Sequence, residues 1–329
     1  MRTTLFTKTG RHSEMNTLSA TTQAKPQYRV ILTDPELPLE TPEHSQLEIG
    51  FGNGEFTVQY AQAHPDVMLY GVEISGACVL KCARRAAGLP NLRIINTDAR
   101  YMLRELFRDE SLERIYMQFP CPWSKTSDAH RRVTAKNFAD GLAAVLKVGG
   151  VFEMLTDDEP YSLEVKNVLG KHEALSLTGY EVNPKRPITT KYERKWLDEG
   201  KDIYRVLFTK TGTFTVGRRI SEDMHIKIRN MAGSQELALL RNIEGKDDSH
   251  KAFWKFGRYF ADGDTYLLET LTSDDEFRQD FYIMVLPRDG GSLLRLDKSA
   301  KAFLTPAVRA ALSDAAHRLN REAAAHEGS

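Results

Sequence analysis

Three glycines at alternate positions could bring a ligand against the protein backbone. Gly50, Gly52 and Gly54 follow the apolar segment 47–49 and precede a pattern typical of a helix that begins near Glu55. Glycine allows the positive φ angles of a sharp turn, and the first turn of the following helix offers free N–H groups. The spacing predicts a cofactor-binding loop, although a tight strand-to-helix turn without a ligand gives the same pattern.

Acidic residues follow two further apolar segments, and their positions help to discriminate between cofactors. Glu73 follows segment 68–72 and could accept hydrogen bonds from both hydroxyls of a ribose, as in a dinucleotide site. Asp98 follows segment 92–95 and suits the exocyclic amine of an adenine. A proline-rich stretch with an aromatic residue, 119–123, ends the next segment. Acids at both strand ends favour S-adenosylmethionine over a dinucleotide, whose pyrophosphate prefers a less acidic site.

These residues require a sheet that gathers them at one edge. Apolar segments alternate with helical patterns from residue 46 to about residue 212, which predicts a parallel sheet with helices on both faces. The expected strands are 28–32, 47–49, 68–72, 92–95, 115–119, 151–155 and 204–208, and the expected helices are 56–63, 75–87, 101–107, 135–146 and 161–169. In such a Rossmann-like α/β fold, ligands bind at the carboxyl ends of the strands.

The composition limits the classes of partner and site. A chain of 329 residues suits about two domains, and its 45 Lys and Arg residues balance 45 Asp and Glu residues, so nucleic-acid binding would depend on local basic patches. Three cysteines are too few for a disulfide framework or a zinc site, and no apolar segment is long enough to span a membrane. We therefore expect a cytoplasmic protein that has no metal site and no membrane partner.

A further set of short motifs completes the pattern. They are Glu48-Ile49-Gly50-Phe51-Gly52 with Gly54-Glu55, Gly71-Val72-Glu73, Asp98-Ala99, Phe119-Pro120-Cys121-Pro122-Trp123 with Lys125 and Arg131-Arg132, Thr156-Asp157 with Pro160-Tyr161, and Arg186-Pro187 before Thr190-Lys191-Tyr192-Glu193. In these motifs the chain resembles the bacterial tRNA (guanine-N7-)-methyltransferases, and the likeness covers about residues 40–212.

The resemblance implies a class I S-adenosylmethionine-dependent methyltransferase fold and methyl transfer from this cofactor to N7 of a guanine in tRNA. The residues then expected to bind the cofactor are Glu48, Gly50, Gly52, Gly54, Glu73, Asp98, Ala99 and Cys121. Those expected to contact the tRNA are Lys125, Asp157, Thr190, Lys191, Tyr192 and Glu193. Glu193 could accept hydrogen bonds from the guanine N1–H and amino group, or could form a surface ion pair with Arg194 or Lys195.

Guanine N7 needs no general base, because its lone pair is free in the neutral base. The main demand on the protein is to position donor and acceptor in line. Positive charge moves onto the purine during the transfer, so a nearby carboxylate helps electrostatically. Asp157 is the expected catalytic residue, since the residue between the two prolines of the 119–123 stretch is an uncharged thiol, Cys121.

Cys121 replaces the carboxylate that the family usually carries at this position, and it leaves other functions open. Our hypothesis is that Cys121 supports the methionine end of the cofactor through its backbone and that its sulfur is dispensable. A second interpretation is an RNA cytosine C5-methyltransferase in which the Cys121 thiolate attacks the base. A third is a catalytically silent RNA-binding subunit that retains the methyltransferase fold.

We divide the chain into three parts. Residues 1–39 form an N-terminal arm and first strand, residues 40–212 the methyltransferase domain, and residues 213–329 an accessory domain. The accessory domain is expected to be a smaller α+β domain, with strands at 266–271, 280–286 and 293–296 and a closing helix at 305–325.

Overall fold

A mixed eight-stranded sheet forms the centre of the N-terminal unit, Met1–Val216. The computed structural model describes residues 29–31, 37–123, 132, 134, 136–221, 223–297 and 302–326. The strands of this sheet are β1 (Arg29–Ile31), β2 (Ser45–Ile49), β3 (Met68–Glu73), β4 (Leu92–Asn96), β5 (Leu112–Gln118), β6 (Leu146–Thr156), β7 (Leu175–Val182) and β8 (Tyr204–Lys210). The helices are α1 (Glu55–Ala63), α2 (Gly76–Arg85), α3 (Ala99–Leu106), α4 (Lys136–Val145), α5 (Glu159–Leu169) and α6 (Lys191–Asp198).

The order of the strands places a switch point between β2 and β5. The sheet runs β1-β4-β3-β2-β5-β6-β8-β7, and the pairings among β1 to β6 are parallel. The chain leaves β2 towards β3 and β4 on one side and then places β5 and β6 on the other. This is the Rossmann-like α/β arrangement that the sequence predicts, and its ligand crevice lies where β2 and β5 end. The residues at that point are 50–54, the glycine loop, and 119–123, the strand-five loop.

One face of the sheet is apolar at its centre. Leu47, Ile115, Phe152 and Phe208 stand opposite one another on four neighbouring strands, and each is fully buried. Successive side chains of a strand point to opposite faces, whereas residues paired across neighbouring strands point to the same face. This row therefore lies on a single face of the sheet. Its burial contributes to the hydrophobic stabilisation of the N-terminal unit.

The opposite face carries a buried polar row. Glu48 on β2 stands opposite Tyr116 on β5, which in turn stands opposite Glu153 on β6. All three side chains are almost completely buried. Since a buried carboxylate is stable only when it is paired, hydrogen-bonded or protonated, this face needs compensating groups.

One edge of the sheet differs from the predicted parallel arrangement. Strand β8 runs antiparallel to both β6 and β7. β7 and β8 are consecutive in the chain and adjacent in the sheet, so no crossover connection is needed between them. The prediction omitted β7 because it is an edge strand whose residues are mostly exposed, and it also omitted α6.

A six-stranded antiparallel sheet forms the C-terminal unit, Gly217–Ser329. Its strands, in the order β10-β11-β12-β13-β14-β9, are β9 (His225–Ile228), β10 (Glu244–Asp247), β11 (Ala252–Asp262), β12 (Thr265–Asp274), β13 (Phe277–Arg288) and β14 (Gly291–Leu296). Helix α7 (Ser234–Leu239) and the long helix α8 (Pro306–His326) complete the unit. The three predicted strands correspond to β12, β13 and β14, which belong to a larger sheet than expected, and the predicted closing helix corresponds to α8. The unit therefore has the expected α+β class. No helix within the described residues has the length and apolar character needed to cross a membrane.

Candidate functional site

The glycine loop has the geometry of a ligand cradle. Gly50, Gly52 and Gly54 have φ angles of 72°, 55° and 76°, which L side chains rarely adopt. A Cβ atom at Gly50 or Gly52 would meet no atom within 4 Å, so open space lies over the loop. At Gly54 it would lie 2.2 Å from the sulfur of Cys82, so close helix packing also requires glycine there. The loop therefore combines a fixed turn with room for a ligand.

Glu73 holds the glycine loop in this shape. Its Oε2 accepts a hydrogen bond from the Gly52 amide at 2.9 Å, and its Oε1 accepts one from the Ser75 amide at 2.9 Å. Each carboxylate oxygen has two lone pairs, so capacity remains for the hydroxyls of a ribose. The structure thus brings the predicted ribose acceptor directly to the loop.

Glu48 lies beneath the glycine loop and is buried. Thr57 of α1 donates its hydroxyl to Glu48 Oε2. Burial raises the pKa of Glu48 from 4.5 to about 8, and the Thr57 hydrogen bond and the charge of Arg186 limit this rise. Glu48 is therefore mainly protonated at neutral pH, and a cationic group placed beside it would favour its ionised form.

Asp98 and Ala99 lie at the start of α3. Asp98 Oδ1 accepts a hydrogen bond from the Arg100 amide at 2.9 Å, which caps the helix. Its Oδ2 also lies 2.6 Å from Arg100 Nη2 in an ion pair. Ala99 is buried as the first residue of the helix. The contact of Asp98 with an adenine stays a prediction.

The strand-five loop is bent at both ends. Phe119 has φ 51° and Trp123 has φ 44°, a left-handed conformation that is costly for bulky residues. Arg132 donates to the carbonyl oxygens of Pro122 and Trp123 at 2.9 and 3.0 Å. Cys121 lies in this hydrogen-bonded loop and is exposed.

Arg132 also joins the strand-five loop to α5. It forms an ion pair with Glu164, and Thr134 donates to the same carboxylate at 2.7 Å. Glu164 could not be singled out from the sequence, because an acidic residue on an expected helix is not by itself a sign of function. Lys125 lies outside the described residues, so its predicted contact with tRNA stays a prediction.

Asp157 follows β6 at the same edge of the sheet. Its Oδ2 lies 3.0 Å from Lys201 Nζ, and both side chains are partly exposed. Lys201 also lies 3.5 Å from the centre of the Trp196 ring. An exposed ion pair of this kind is worth about 0–1 kcal/mol, so it opens readily for a charged substrate.

Thr190 and Glu193 form the capping box of α6. The Thr190 hydroxyl accepts from the Glu193 amide at 3.1 Å, and Glu193 Oε2 accepts from the Thr190 amide at 3.4 Å. Glu193 is 2% exposed, and burial raises the pKa of its carboxyl while the charge of Arg186 lowers it. Lys191 and Tyr192 lie in the first turn of α6, and their side chains are outside the described part of the chain.

The partner of Glu193 differs from the expected surface residues. Arg186 Nη1 lies 2.8 Å from Glu193 Oε2. The alternative of a surface ion pair with Arg194 or Lys195 is wrong, because Arg194 pairs with Glu55 and Lys195 with Glu199. The physical reason is that the capping box turns Glu193 inward, towards the guanidinium group of Arg186.

Two residues of this region were missed by sequence reasoning. Gln118 Oε1 accepts from Arg186 Nη2 at 3.0 Å, and Glu153 Oε1 lies 4.0 Å from Arg186 Nε. Glu153 also pairs with Arg114 at 2.5 Å. A signal existed for Glu153, because it is a charged residue inside the apolar segment 151–155. No signal marked Gln118.

No cluster of three or more His, Cys, Asp or Glu side chains in the described ranges could hold a metal ion. The side chains at the crevice instead offer hydrogen-bond acceptors and a loop with open space above it. Such a set suits an organic ligand with hydroxyl, amine or cationic groups.

Comparisons with known proteins identify relatives over most of the chain. Residues 42–206 match the family described as "Putative methyltransferase". A tRNA (guanine-N(7)-)-methyltransferase of Thermotoga maritima is 36% identical over 268 residues, which cover 80% of this chain and 85% of that protein. A protein of the same name from Aquifex aeolicus is 29% identical over 288 residues, covering 86% of this chain and 96% of that protein. Both matches cover more of the chain than its N-terminal unit contains, so the likeness extends into the C-terminal unit.

Among solved structures, a 16S rRNA (adenine(1408)-N(1))-methyltransferase from Catenulisporales acidiphilia matches part of this chain. The identity is 15%, the TM-score is 0.38, and the match covers 53% of this chain and 88% of that chain.

Proposed function

The chain belongs to the tRNA (guanine-N7-)-methyltransferase family, and from this we infer that it transfers a methyl group from S-adenosylmethionine to N7 of a guanine in tRNA. The observation that carries this inference is the 36% identity to the Thermotoga maritima enzyme over 80% of the chain. We expect the reaction to occur in the cytoplasm, which is consistent with the three free thiols.

The crevice fits the cofactor. Open space lies over Gly50 and Gly52, and Glu73 at its rim retains acceptor capacity for a ribose. Asp98 at the end of the neighbouring strand would accept from the adenine amine, with Ala99 beside it. Glu48 beneath the loop would accept from the ammonium of the methionine end. S-adenosylmethionine supplies a methyl group on a cationic sulfur.

The protein contributes alignment and electrostatics rather than proton abstraction. Guanine N7 attacks the methyl group with its own lone pair, so the substrate must be held in line with the sulfur–carbon bond. As positive charge develops on the purine, the carboxylate of Asp157 stabilises it. Lys201, which pairs with Asp157, lies at the exposed rim, where a tRNA phosphate can compete for its ammonium group.

We propose that the tRNA approaches along α6 and the strand-five loop. Thr190 and Glu193 set the start of α6, from which Lys191 and Tyr192 would contact the substrate, and Lys125 would follow the strand-five loop. The buried position of Glu193 favours an indirect role through the helix cap over a direct hydrogen bond to guanine.

A methyl-transfer assay tests the function. Total tRNA lacking the modification is incubated with the protein and tritiated S-adenosylmethionine, and incorporation is compared with a reaction on the same RNA without protein. Incorporation into tRNA is the expected result. Bound cofactor without incorporation would support the silent RNA-binding subunit instead.

A further inference from the structure

Arg186 is the centre of a buried ion cluster at the carboxyl edge of the sheet. Its side chain is 5% exposed. Nη1 lies 2.8 Å from Glu193 Oε2, Nη2 donates to Gln118 Oε1 at 3.0 Å, and Nε lies 4.0 Å from Glu153 Oε1. Each of the three nitrogens of one guanidinium group thus faces a different element of the fold.

These contacts join the segments that the reaction requires. Gln118 is the last residue of β5 and leads directly into the strand-five loop. Glu153 lies on β6, which leads to Asp157. Glu193 caps α6, where the tRNA contacts are expected. The position of Arg186 therefore links the end of β5, the strand before the catalytic carboxylate and the substrate helix.

Arg186 also faces the side that would hold the cofactor. Its guanidinium carbon lies 5.6 Å from the centre of the Phe56 ring, and Phe56 follows the glycine loop in α1. The charge of Arg186 also acts on Glu48 beneath the loop. A planar group with donors in fixed directions can make these contacts together, whereas the single ammonium of a lysine cannot.

The orientation of the Gln118 side-chain amide depends on Arg186. Gln118 is 8% exposed, and its Nε2 is buried and has no hydrogen-bond partner among the residues that the structure describes. The hydrogen bond from Arg186 to Oε1 is the side-chain contact that fixes which way this amide points. The residue that directly precedes the strand-five loop is consequently oriented by Arg186, which also contacts the cap of α6.

We propose that Arg186 is a positioning residue for methyl transfer, which aligns the tRNA-binding helix α6 with the strand-five loop and the glycine loop. This inference rests on the proposed function. It concerns the alignment of the two substrates and assigns no contact between Arg186 and either of them.

The test compares Arg186→Lys with a matched control, Arg205→Lys. Arg205 of β8 pairs with Glu181 of β7 at 2.8 Å, in the two outermost strands at one edge of the same sheet rather than at β2 and β5, where the crevice lies. For the wild type and each variant, calorimetry gives the dissociation constant and stoichiometry for S-adenosylmethionine. Initial rates on unmodified tRNA then give kcat per bound site and KM for tRNA.

For Arg186→Lys we expect kcat per bound site to fall by about tenfold to a hundredfold, the effect of a misalignment on the order of 1 Å. The dissociation constant for S-adenosylmethionine should stay within about threefold of the wild type, and Arg205→Lys should match the wild type. Loss of folded protein alone would lower the binding stoichiometry and leave kcat per bound site unchanged. That result, or an unchanged kcat in a fully folded variant, would overturn the proposal.

Glu193→Gln provides a second test that keeps the capping box, since glutamine can also occupy its third position. It should lower kcat in the wild-type background and have little further effect in Arg186→Lys, because both changes disrupt one pair. Independent, additive losses would overturn the proposal. If Arg186→Lys does not fold, an unchanged kcat in Glu193→Gln alone would overturn the proposal. Absence of tRNA methylation by the wild type is a separate outcome, which refutes the proposed function and this inference with it.

Discussion

The amide of Gly52 donates a hydrogen bond to Glu73 Oε2 at 2.9 Å, and this contact ties the glycine loop after β2 to the end of β3. A carboxylate that accepts backbone amides forms stronger hydrogen bonds than a neutral acceptor. The residue that the sequence marks as a ribose acceptor thus also fixes the loop on which the cofactor would lie.

Replacing Glu73 should weaken cofactor binding. In Glu73→Gln the side-chain amide cannot accept on both sides, so the contact with Gly52 or with Ser75 is lost, as is the charge near the ribose. A lost charge-assisted hydrogen bond costs about 1.5–3 kcal/mol, which corresponds to about a tenfold to hundredfold rise in the dissociation constant for S-adenosylmethionine. Calorimetry measures this dissociation constant. Glu113→Gln, a partly exposed acid that pairs with His44 and Lys147, is the control, and equal affinities in both variants would refute this role.

Glu48 should make the stability of the protein depend on pH. Its pKa is about 8 in the folded protein and near 4.5 in the unfolded chain, so between these values the folded state holds a proton that the unfolded state has released. Stability should therefore be greatest below the lower value and decline as the pH rises through this window, by up to about 1.4 kcal/mol per pH unit. Denaturant unfolding of wild type and Glu48→Gln across the window measures the difference, and parallel pH profiles would contradict the prediction.

The same group should couple cofactor binding to proton release. If the ammonium of S-adenosylmethionine lies beside Glu48, it lowers the pKa of Glu48, and a proton leaves on binding below about pH 8. Affinity should then rise with pH towards that value. Calorimetry at one pH in buffers with different ionisation enthalpies counts the protons, and Glu48→Gln should abolish the release. Release that persists in the variant would assign the proton to another group.

The sequence predicts the cofactor side of the crevice better than the substrate side, and the reason is physical. Local sequence is enough to predict the roles of Gly50, Gly52 and Glu73. Glycine permits the turn, and an acidic residue at the end of a strand faces the crevice. Arg186 is different, because its contacts depend on which strands become neighbours in the sheet. Its partners Gln118 and Glu153 are distant in sequence and meet only through the strand order.

The edge of the sheet illustrates the same limit. Strand β7 alternates between small, polar and apolar residues with no buried face of its own, so hydrophobic periodicity is weak there. Its place is set by pairing with β8, which is a tertiary contact. The inward turn of Glu193 likewise follows from the helix cap and from Arg186, and the motif alone also fitted a surface position.

Asp157 should contribute to the chemical step. Asp157→Asn removes the charge and keeps the shape, so we expect kcat to fall by about tenfold to a thousandfold with little change in cofactor affinity. Lys201→Gln is the matched control, because it removes the partner and leaves the carboxylate. At saturating tRNA, where a lost phosphate contact does not limit the rate, the loss of this exposed ion pair should change the rate by about fivefold at most. Single-turnover rates on unmodified tRNA measure both. Similar rates in wild type and Asp157→Asn would exclude the electrostatic role.

Cys121 should be dispensable as a nucleophile. The thiol is exposed on a loop that Arg132 holds through the carbonyl oxygens of Pro122 and Trp123, so Cys121→Ser should retain cofactor binding and kcat within about threefold. Incubation with RNA that contains 5-fluorocytosine should give no covalent adduct on a denaturing gel. An adduct, or loss of all turnover in Cys121→Ser with cofactor still bound, would support cytosine C5 chemistry.

The position of the methyl group tests the central claim most directly. Unmodified tRNA is treated with the protein and S-adenosylmethionine, then with borohydride and aniline, which cleave the RNA at N7-methylguanine, and the fragments are compared with a reaction that lacks the protein. We predict strand scission at a guanine only when the protein and the cofactor are both present. Methyl incorporation without scission would place the modification on another atom, and it would contradict the assignment of this protein as a guanine-N7 methyltransferase.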